Sequence, residues 1–331
     1  MAKKVITLGG GTGTPVVLAG LKNDPQIDLS AIVVVTDSGG STGRLRDEFG
    51  FLPVGDIRQC ITALADDNLT DEIRQLLLYR FGGNSGLKGH SLGNLILTAF
   101  EDLENSPGKA IETVSRIFQT KGKIYPVTEA VADLVIEYQD GSRETGEHFL
   151  DDHTIGGKTI TNLSLTKQSP LYPPAKKALL EAELIILGPG DLYGSLIPHA
   201  LTDGLPEALQ QASAPFVYVV NLMTHFSQTH QMSAKDHVEA VAKYFGKQPD
   251  VVIMNTGNIP PELLAIYARQ KEYPVKDDLP NNQKLKVIRG DLIAEVPVKL
   301  NSNDAIERSL LRHDVKKLSN VLKTLLNPVL A

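Results

Sequence analysis

The chain has 331 residues with 42% hydrophobic side chains, a formal net charge of -6 and one cysteine. This length can bury the core of one large α/β domain, and the negative charge disfavours DNA or a membrane surface as the main partner. One cysteine excludes an internal disulfide and a cysteine-built metal site, and no stretch of about 18 apolar residues is present to span a bilayer. We therefore expect a cytoplasmic protein that binds no nucleic acid and has no membrane span.

The first feature is a glycine cluster between an apolar strand and an apolar-faced helix, in the segment VITLGGGTGTPVVLAGL from Val5 to Leu21. Glycine leaves backbone N–H groups accessible and a helix N-terminus adds positive potential, so this arrangement favours a phosphate group over a purely structural tight turn. The pattern departs from the dinucleotide fingerprint, because Thr14 stands where a last small residue is needed, and no Lys-Ser/Thr pair follows to make a P-loop. The candidate ligand-binding residues are Gly9, Gly10, Gly11, Thr12 and Gly13.

A second candidate loop follows the apolar run AIVVV. Asp37 comes directly after this predicted strand, about twenty residues beyond the glycine cluster, where an acidic group can bind a ribose hydroxyl or a metal ion. Arg44 and Arg46 carry guanidinium groups suited to phosphate oxygens, unless they only pair with Asp47 and Glu48 on a helix surface. Two glycine loops with paired arginines predict a diphosphate site. The residues of the second, flexible loop are Gly39, Gly40, Ser41, Thr42 and Gly43.

Two further helix starts carry polar side chains. In GDIRQCITAL, Asp56 is predicted at the helix N-cap, where it serves as a cap or as a ligand contact, and Cys60 is predicted to be a small buried residue. In GHSLGNLILTAF, His90 and Asn94 crowd the first helical turn, which favours the approach of a ligand, while Ser91 is a candidate cap.

The middle of the chain has a different sequence pattern. Residues 124–171 contain short segments with alternating threonines and a hairpin signal at Asp140-Gly141, which predict an antiparallel β insertion. We expect this insertion to pack beside the main sheet within a single Rossmann-like domain spanning residues 1–331.

Two more loops follow apolar runs after the insertion. GPGDLYGS contributes the candidates Gly188, Gly190, Asp191, Tyr193 and Ser195. NLMTH contributes Asn221, and the spacing of His225, His230 and His237 matches no zinc motif, so these histidines are interpreted as solvated or core-edge residues. The last helix is predicted to be capped by Asp314.

The repeated plan of apolar run, polar loop and helix predicts an α/β fold, with a doubly wound, mostly parallel Rossmann-like sheet that carries the antiparallel insertion. Because the loops that follow parallel strands gather at the carboxyl ends of the strands, the candidate loops are expected to form one site. Nothing in the spacing nominates a covalent nucleophile.

Seven motifs together resemble the gluconeogenesis factor family, whose bacterial members are often labelled YvcK-like, over nearly the whole chain: GGGTG, TDSGGSTGRLR, GDIRQC, GHSLGNL, GPGDLYGS, NLMTH and RHD-x-x-KL. The chain is more distantly similar to the phospholactate transferases that assemble a deazaflavin coenzyme and share a Rossmann-like fold. The closer resemblance implies binding of uridine diphosphate (UDP) sugars and a role in growth on gluconeogenic carbon sources, in cell shape and in wall synthesis. It implies no defined catalytic activity.

By position, the resemblance places the loop residues named above in one ligand pocket and adds Arg312. Two departures matter. Family members more often carry two consecutive aspartates where this chain has Asp37-Ser38, and serine where it has Asp191. The loss of the second aspartate weakens the expectation of a tightly held divalent ion, because hard cations prefer several anionic oxygens.

The sequence leaves three hypotheses. The first is a regulator that binds UDP sugars, forms a dimer and has a protein partner in wall synthesis; Arg44 holds the diphosphate, Asp37 the ribose, and Asn221 with Arg312 the remainder. The second is a transferase of a phosphorylated metabolite, in which Asp37 and Asp56 are the candidate catalytic residues and hold Mg²⁺. The third, a nicotinamide-dependent oxidoreductase, is weakened by the incomplete fingerprint.

Overall fold

The computed structural model describes residues 2–68, 71–280, 285–295 and 310–326. The strands among these residues are β1 Lys3–Gly9, β2 Ile27–Val33, β3 Lys123–Pro126, β4 Leu134–Tyr138, β5 Arg143–Thr145, β6 Ile160–Leu165, β7 Leu184–Leu187, β8 Phe216–Val219, β9 Val251–Asn255 and β10 Lys286–Gly290. The helices are α1 Thr14–Leu21, α2 Gly40–Phe49, α3 Gly55–Leu64, α4 Asp71–Leu78, α5 Leu92–Glu104, α6 Pro107–Ile117, α7 Pro173–Leu180, α8 Ile197–Ala200, α9 Leu205–Gln211, α10 Ala234–Phe245, α11 Pro261–Arg269 and α12 Val315–Leu326.

The main sheet of the described chain has seven strands in the order β10-β9-β8-β7-β1-β2-β3. Every neighbouring pair is parallel. The runs LIIL of β7 and FVYV of β8 are buried at each residue, as parallel strands covered by helices on both faces require. The predicted doubly wound α/β fold is confirmed.

The strand order reverses at β1. The chain runs outward from β1 to β2 and β3, then returns to β7 on the other side of β1 and continues to β8, β9 and β10. The loops after β1 and β7 therefore leave the sheet in opposite directions and open a crevice between them. Open α/β sheets bind their ligands at this kind of topological switch point.

The insertion is a separate antiparallel sheet in the order β5-β4-β6. Its hairpin turns at Asp140-Gly141 as predicted, and Gly141 has the positive φ of +82° that such a turn needs. It starts later than predicted, because Ile124 lies in β3 and pairs with Ala31 of the main sheet. A four-residue strand is too short to show in its own sequence which sheet it joins.

The helix ends confirm the predicted cap at Asp314 and correct those at Asp56 and Ser91. The Ser91 hydroxyl makes no cap hydrogen bond and donates instead to the Leu77 carbonyl. The Asp314 carboxylate accepts the N–H groups of Lys316 and Lys317 at 2.9 and 2.8 Å and caps α12. Cys60 is a buried free thiol, as predicted. Asp56 does not cap α3, because the helix begins one residue earlier, at Gly55, and Asp56 lies within the first turn.

No described helix is long and apolar enough to cross a lipid bilayer.

Candidate functional site

Two glycine loops meet at the crevice between β1 and β7. A Cβ atom added to Gly13 would overlap the carbonyl oxygen of Pro189, so the two loops approach backbone to backbone. The second loop is braced from the end of β8, because the Gly190 N–H donates a 3.3 Å hydrogen bond to Asn221 Oδ1. GGGTG and GPGDLYGS therefore lie at the same edge of the sheet.

The bare backbone of the first loop approaches a carboxylate of the chain itself. The Asp56 carboxylate accepts a hydrogen bond from the Gly11 N–H, and a Cβ atom on Gly10 would overlap it. Burial, followed by the negative charge of Asp37, raises the pKa of Asp56 to about 7, although the Gly11 N–H and the charge of Arg58 act in the opposite direction. Ionisation of Asp56 is therefore energetically unfavourable at this position.

Asp37 lies beside Asp56, and we call these two residues the carboxylate pair. Its Oδ1 accepts the Gly39 N–H at 2.8 Å and its carboxylate accepts the Thr42 hydroxyl. A Cβ atom on Gly55 would lie 2.9 Å from Asp37 Oδ2, so only glycine lets the start of α3 come this close. Burial raises the pKa of Asp37 despite these hydrogen bonds. Two adjacent carboxylates of this kind bind a proton or a cation more readily than isolated ones.

The predicted second loop is the first turn of helix α2, which begins at Gly40. A Cβ atom on Gly43 would overlap the carbonyl oxygen of Ser38, so the helix packs tightly against the chain that enters it. The segment is thus a helix N-terminus next to Asp37, and it offers N–H groups and the positive end of a helix dipole to an anion.

A buried polar network supports this helix start. The Ser41 Oγ lies 3.2 Å from His90 Nδ1, and Asn94 Nδ2 donates to Ser41 Oγ and Thr42 Oγ1 at 3.4 Å. Arg58 Nε donates to Asn94 Oδ1 at 2.8 Å, and its side chain is almost fully buried. His90 and Asn94 therefore contact the start of α2. Sequence analysis missed Arg58, although it lies two residues after Asp56 in the same motif.

The insertion contributes another carboxylate that sequence analysis missed. A Cβ atom on Gly194 would lie 3.2 Å from Glu147 Oε1, which places Glu147 against the GPGDLYGS loop. Burial first, and then the charges of Asp37 and neighbouring acids including Asp191, raise the pKa of Glu147. Ser38 Oγ anchors this segment by accepting the His148 N–H at 3.0 Å. The acidic run EHFLDD is the only signal that could have identified it.

The two candidate arginines bind different partners. Arg44 is exposed, and its Nη2 donates to the Lys88 carbonyl at 2.9 Å. Arg46 forms ion pairs with Asp133 at 2.6 Å and with Asp47 at 2.9 Å. Arg46 therefore pairs with Asp47, as the surface-pairing alternative expected, but it also pairs with Asp133, and its charge acts to lower the pKa of Asp37. Arg44 binds a backbone carbonyl.

The remaining candidates occupy several environments. A Cβ on Gly11 would lie 3.3 Å from Ser195 Oγ, which places Ser195 beneath the first loop. Tyr193 is buried with its hydroxyl 3.9 Å from Met232 Sδ, so it faces the core. Arg312 lies in a segment whose backbone pairs with the chain after β10. Asn221 also lines a cavity of about 260 Å³ together with residues 254–259.

These features define a class of protein: a doubly wound α/β protein whose switch-point crevice combines glycine loops, a helix N-terminus and partly buried carboxylates. The family model for 2-phospho-L-lactate transferase CofD matches residues 5–293, and the chain belongs to this family.

Relatives and solved structures agree with this assignment. The chain is similar to the gluconeogenesis factor of Bacillus subtilis, with 36% identity over 325 residues and 98% of each chain covered. It is 35% identical over 322 residues to that of Halalkalibacterium halodurans, with 97% of this chain and 95% of the relative covered. A crystal structure of a Bacillus halodurans protein matches at 32% identity with a TM-score of 0.87, covering 98% of this chain and 100% of that one. The resemblance to gluconeogenesis factors is confirmed.

Proposed function

We propose that this chain binds a UDP sugar in the crevice between β1 and β7 through a divalent cation held by the carboxylate pair, and that it acts in the cytoplasm as a regulator. The observation that carries the proposal is the position of the carboxylate pair beside the first glycine loop and the start of α2. The regulatory role, in gluconeogenic growth, cell shape and wall synthesis, rests on the likeness to gluconeogenesis factors.

Electrostatics support a cation between protein and ligand. A diphosphate brings negative charge to a crevice that already holds Asp37, Asp56 and Glu147, and like charges at short distance repel strongly where water is excluded. Mg²⁺ removes this conflict, because it binds one or two carboxylates together with substrate phosphate oxygens. The backbone N–H groups of the glycine loop and the α2 start then remain for the outer phosphate oxygens.

The structure favours a cation over a ribose hydroxyl as the partner of Asp37. A ribose hydroxyl is bound by a single ionised carboxylate that accepts its hydrogen bond, whereas Asp37 is paired with Asp56 and has a raised pKa. In this proposal the ribose and sugar lie farther along the crevice, toward the cavity lined by Asn221.

A second candidate function is transfer of a phosphorylated metabolite, the activity in the name of the matching family. The observation that favours it is the pKa of Asp56, about 7, because a group that titrates near neutral pH can exchange a proton with a reacting hydroxyl. Incubation with phospholactyl nucleotides, followed by product analysis, distinguishes turnover from binding.

Calorimetry and thermal unfolding test the proposal. We expect a UDP sugar to raise the melting temperature more than NAD does, and we expect EDTA to remove the effect and Mg²⁺ to restore it. Asp37→Asn should weaken Mg²⁺-dependent binding at least about tenfold, which is about 1.4 kcal/mol. Asp47→Asn is the matched control, since it removes an exposed carboxylate from α2.

Each result has an opposite that would contradict one part of the proposal. Equal affinity for the UDP sugar with and without EDTA would show that no cation takes part in binding. Stabilisation by NAD without any effect of UDP sugars would favour the dinucleotide hypothesis instead.

A further inference from the structure

A second group of side chains with metal-binding donors lies where the insertion meets the main sheet. His153 lies in a one-turn 3₁₀ helix of the insertion, His225 follows β8, and Glu272 follows α11. One donor atom from each lies within 4.8 Å of the others. Residues far apart in the chain thus bring two imidazoles and a carboxylate together, a donor set that sequence spacing did not reveal.

The hydrogen bonds of His225 fix which of its nitrogens is available. Ser227 Oγ donates its only proton to the Leu150 carbonyl and lies 3.0 Å from His225 Nδ1. Because the Ser227 proton is already used, Nδ1 must be the donor to Ser227 Oγ. In the neutral imidazole, Nε2 then carries a lone pair. A metal-bound histidine generally donates its other ring N–H to a hydrogen-bond acceptor that fixes the ring, and Ser227 Oγ is that acceptor for His225 here.

The lone pair of His225 faces two carboxylates. Its Nε2 lies 3.7 Å from Glu272 Oε1 and 3.9 Å from Asp151 Oδ1, which is beyond hydrogen-bond length. The imidazole nitrogen and the two carboxylates repel one another when none of them carries a proton, and a cation bound among them removes this repulsion.

Glu272 is placed as a buried ligand. Its side chain is 9% exposed, and the Phe226 N–H reaches its Oε1 at 3.5 Å, at the limit of a hydrogen bond. Burial raises the pKa of Glu272, while the nearby His225 acts in the opposite direction. A carboxylate this enclosed is stabilised far more by a bound metal than by water.

We propose that His153, His225 and Glu272 form a binding site for a divalent metal of the Zn²⁺ class, with Asp151 within reach as a fourth ligand. Imidazole nitrogens select Zn²⁺ and its neighbours over Mg²⁺ and Ca²⁺. Zn²⁺ binds nitrogen and oxygen at about 2.0 to 2.2 Å, so tetrahedral ligands lie roughly 3.4 Å apart. Binding therefore requires Glu272 and Asp151 to move a few tenths of an ångström toward His225 Nε2. The ligand atoms of His153, His225 and Glu272, which lie within 4.8 Å of one another, must close in by at most about 1.4 Å.

The metal would fasten the insertion to the main sheet. The two parts already touch here, because the Gly157 N–H donates to the Phe226 carbonyl at 2.8 Å and a Cβ on Gly156 would overlap the Phe226 ring. The site shares no ligand with the carboxylate pair. The charges of Asp37 and Asp191 do act on Asp151, so the test of the metal site uses variants of its own ligands.

The test uses the full chain after treatment with a chelator. Calorimetry should show one Zn²⁺ bound per chain in the presence of excess Mg²⁺, and Co²⁺ should give the visible absorption of a four- or five-coordinate ion. His225→Ala and Glu272→Gln should each lower Zn²⁺ affinity at least about tenfold, and Ser227→Ala about tenfold, through loss of orientation. Glu272→Gln keeps the size of the side chain, so its effect remains interpretable if His225→Ala fails to fold.

Two controls separate this site from other histidines and from the carboxylate pair. His153→Ala should lower Zn²⁺ affinity, whereas His148→Ala, which removes an exposed histidine of the same insertion, should leave it unchanged. Asp37→Asn, which keeps all three ligands, should change Zn²⁺ affinity far less than Glu272→Gln does. Absence of Zn²⁺ binding in the parent protein would overturn the proposal. Equal affinity in His225→Ala and the parent would place the metal elsewhere and would overturn it too.

Discussion

At the scale of single residues, the chemistry of the crevice depends on carboxylates that are held where charge is unfavourable. Asp56 accepts the Gly11 N–H, yet burial and the neighbouring Asp37 still raise its pKa to about 7. The folded protein therefore carries electrostatic repulsion at neutral pH, which a cation or a proton can relieve. Sites where function requires a bound charge commonly carry such a cost.

The pH dependence of stability should report this cost. An acid whose pKa is higher in the folded than in the unfolded protein keeps its proton longer when folded, so the free energy of unfolding falls as pH rises from about 4 to about 7. In EDTA, we expect Asp56→Asn to be more stable than the parent at pH 8, on the order of 2 kcal/mol, and to show a smaller decrease between pH 5 and pH 8. Urea unfolding at each pH measures both.

A residual slope is expected in Asp56→Asn, because burial also raises the pKa of Glu101 to about 7. Asp47→Asn, on the exposed face of α2, should follow the parent. Identical pH profiles for Asp56→Asn and the parent would show that Asp56 is ionised at no cost.

Arg44 gives a second prediction at this scale. Its guanidinium is exposed and binds the Lys88 carbonyl, so it can turn toward a ligand at the cost of one hydrogen bond. Arg44→Ala should lower the affinity for a UDP sugar about tenfold to hundredfold in calorimetry, since a charge-assisted contact is worth roughly 1.5 to 3 kcal/mol, and Arg44→Lys should fall between. Unchanged affinity would show that Arg44 binds the Lys88 carbonyl and makes no contact with the ligand.

At the scale of elements, the site is built by glycines that let loops and helix starts touch. Gly13 approaches Pro189, Gly10 approaches Asp56, and Gly55 approaches Asp37. These glycines serve close approach and not unusual backbone geometry, as Gly13 has an ordinary helical φ of -80°. The crevice therefore closes around its carboxylates only while these positions lack side chains.

Gly13→Ala tests this packing. Alanine suits the backbone conformation of Gly13, so any loss of stability comes from the contact with the Pro189 carbonyl. We expect a loss of at least about 2 kcal/mol in urea unfolding, together with weaker ligand binding. Gly86→Ala is the matched control, because a Cβ there meets nothing within 4 Å. A variant Gly13→Ala as stable as Gly86→Ala would contradict the close contact.

At the scale of the whole molecule, the insertion closes the crevice from outside the main sheet. Glu147 lies against the GPGDLYGS loop, and Ser38 holds the adjacent His148. The same insertion carries His153 of the proposed metal site. Ligand binding in the crevice should therefore change hydrogen exchange in both the main sheet and the insertion.

Hydrogen exchange should show this coupling. With Mg²⁺ and a UDP sugar, we expect slower exchange at residues 9–13, 188–195 and 147–151 together, because these segments surround the carboxylate pair. The same ligand in EDTA is the control and should protect none of them. Protection confined to residues 254–259, which line the cavity beside Asn221, would move the ligand out of the crevice.

The sequence by itself determined the features that local physics controls. Buried runs followed by polar loops predicted the parallel sheet, the glycine clusters predicted close backbone approach, and Asp140-Gly141 and Asp314 marked a hairpin and a cap. Only the tertiary structure decided what the glycines approach, where the short strand β3 belongs, and which distant side chains meet. Arg58, Glu147 and the group around His225 are brought together by packing between elements, and the spacing of residues along one chain carries no record of such contacts.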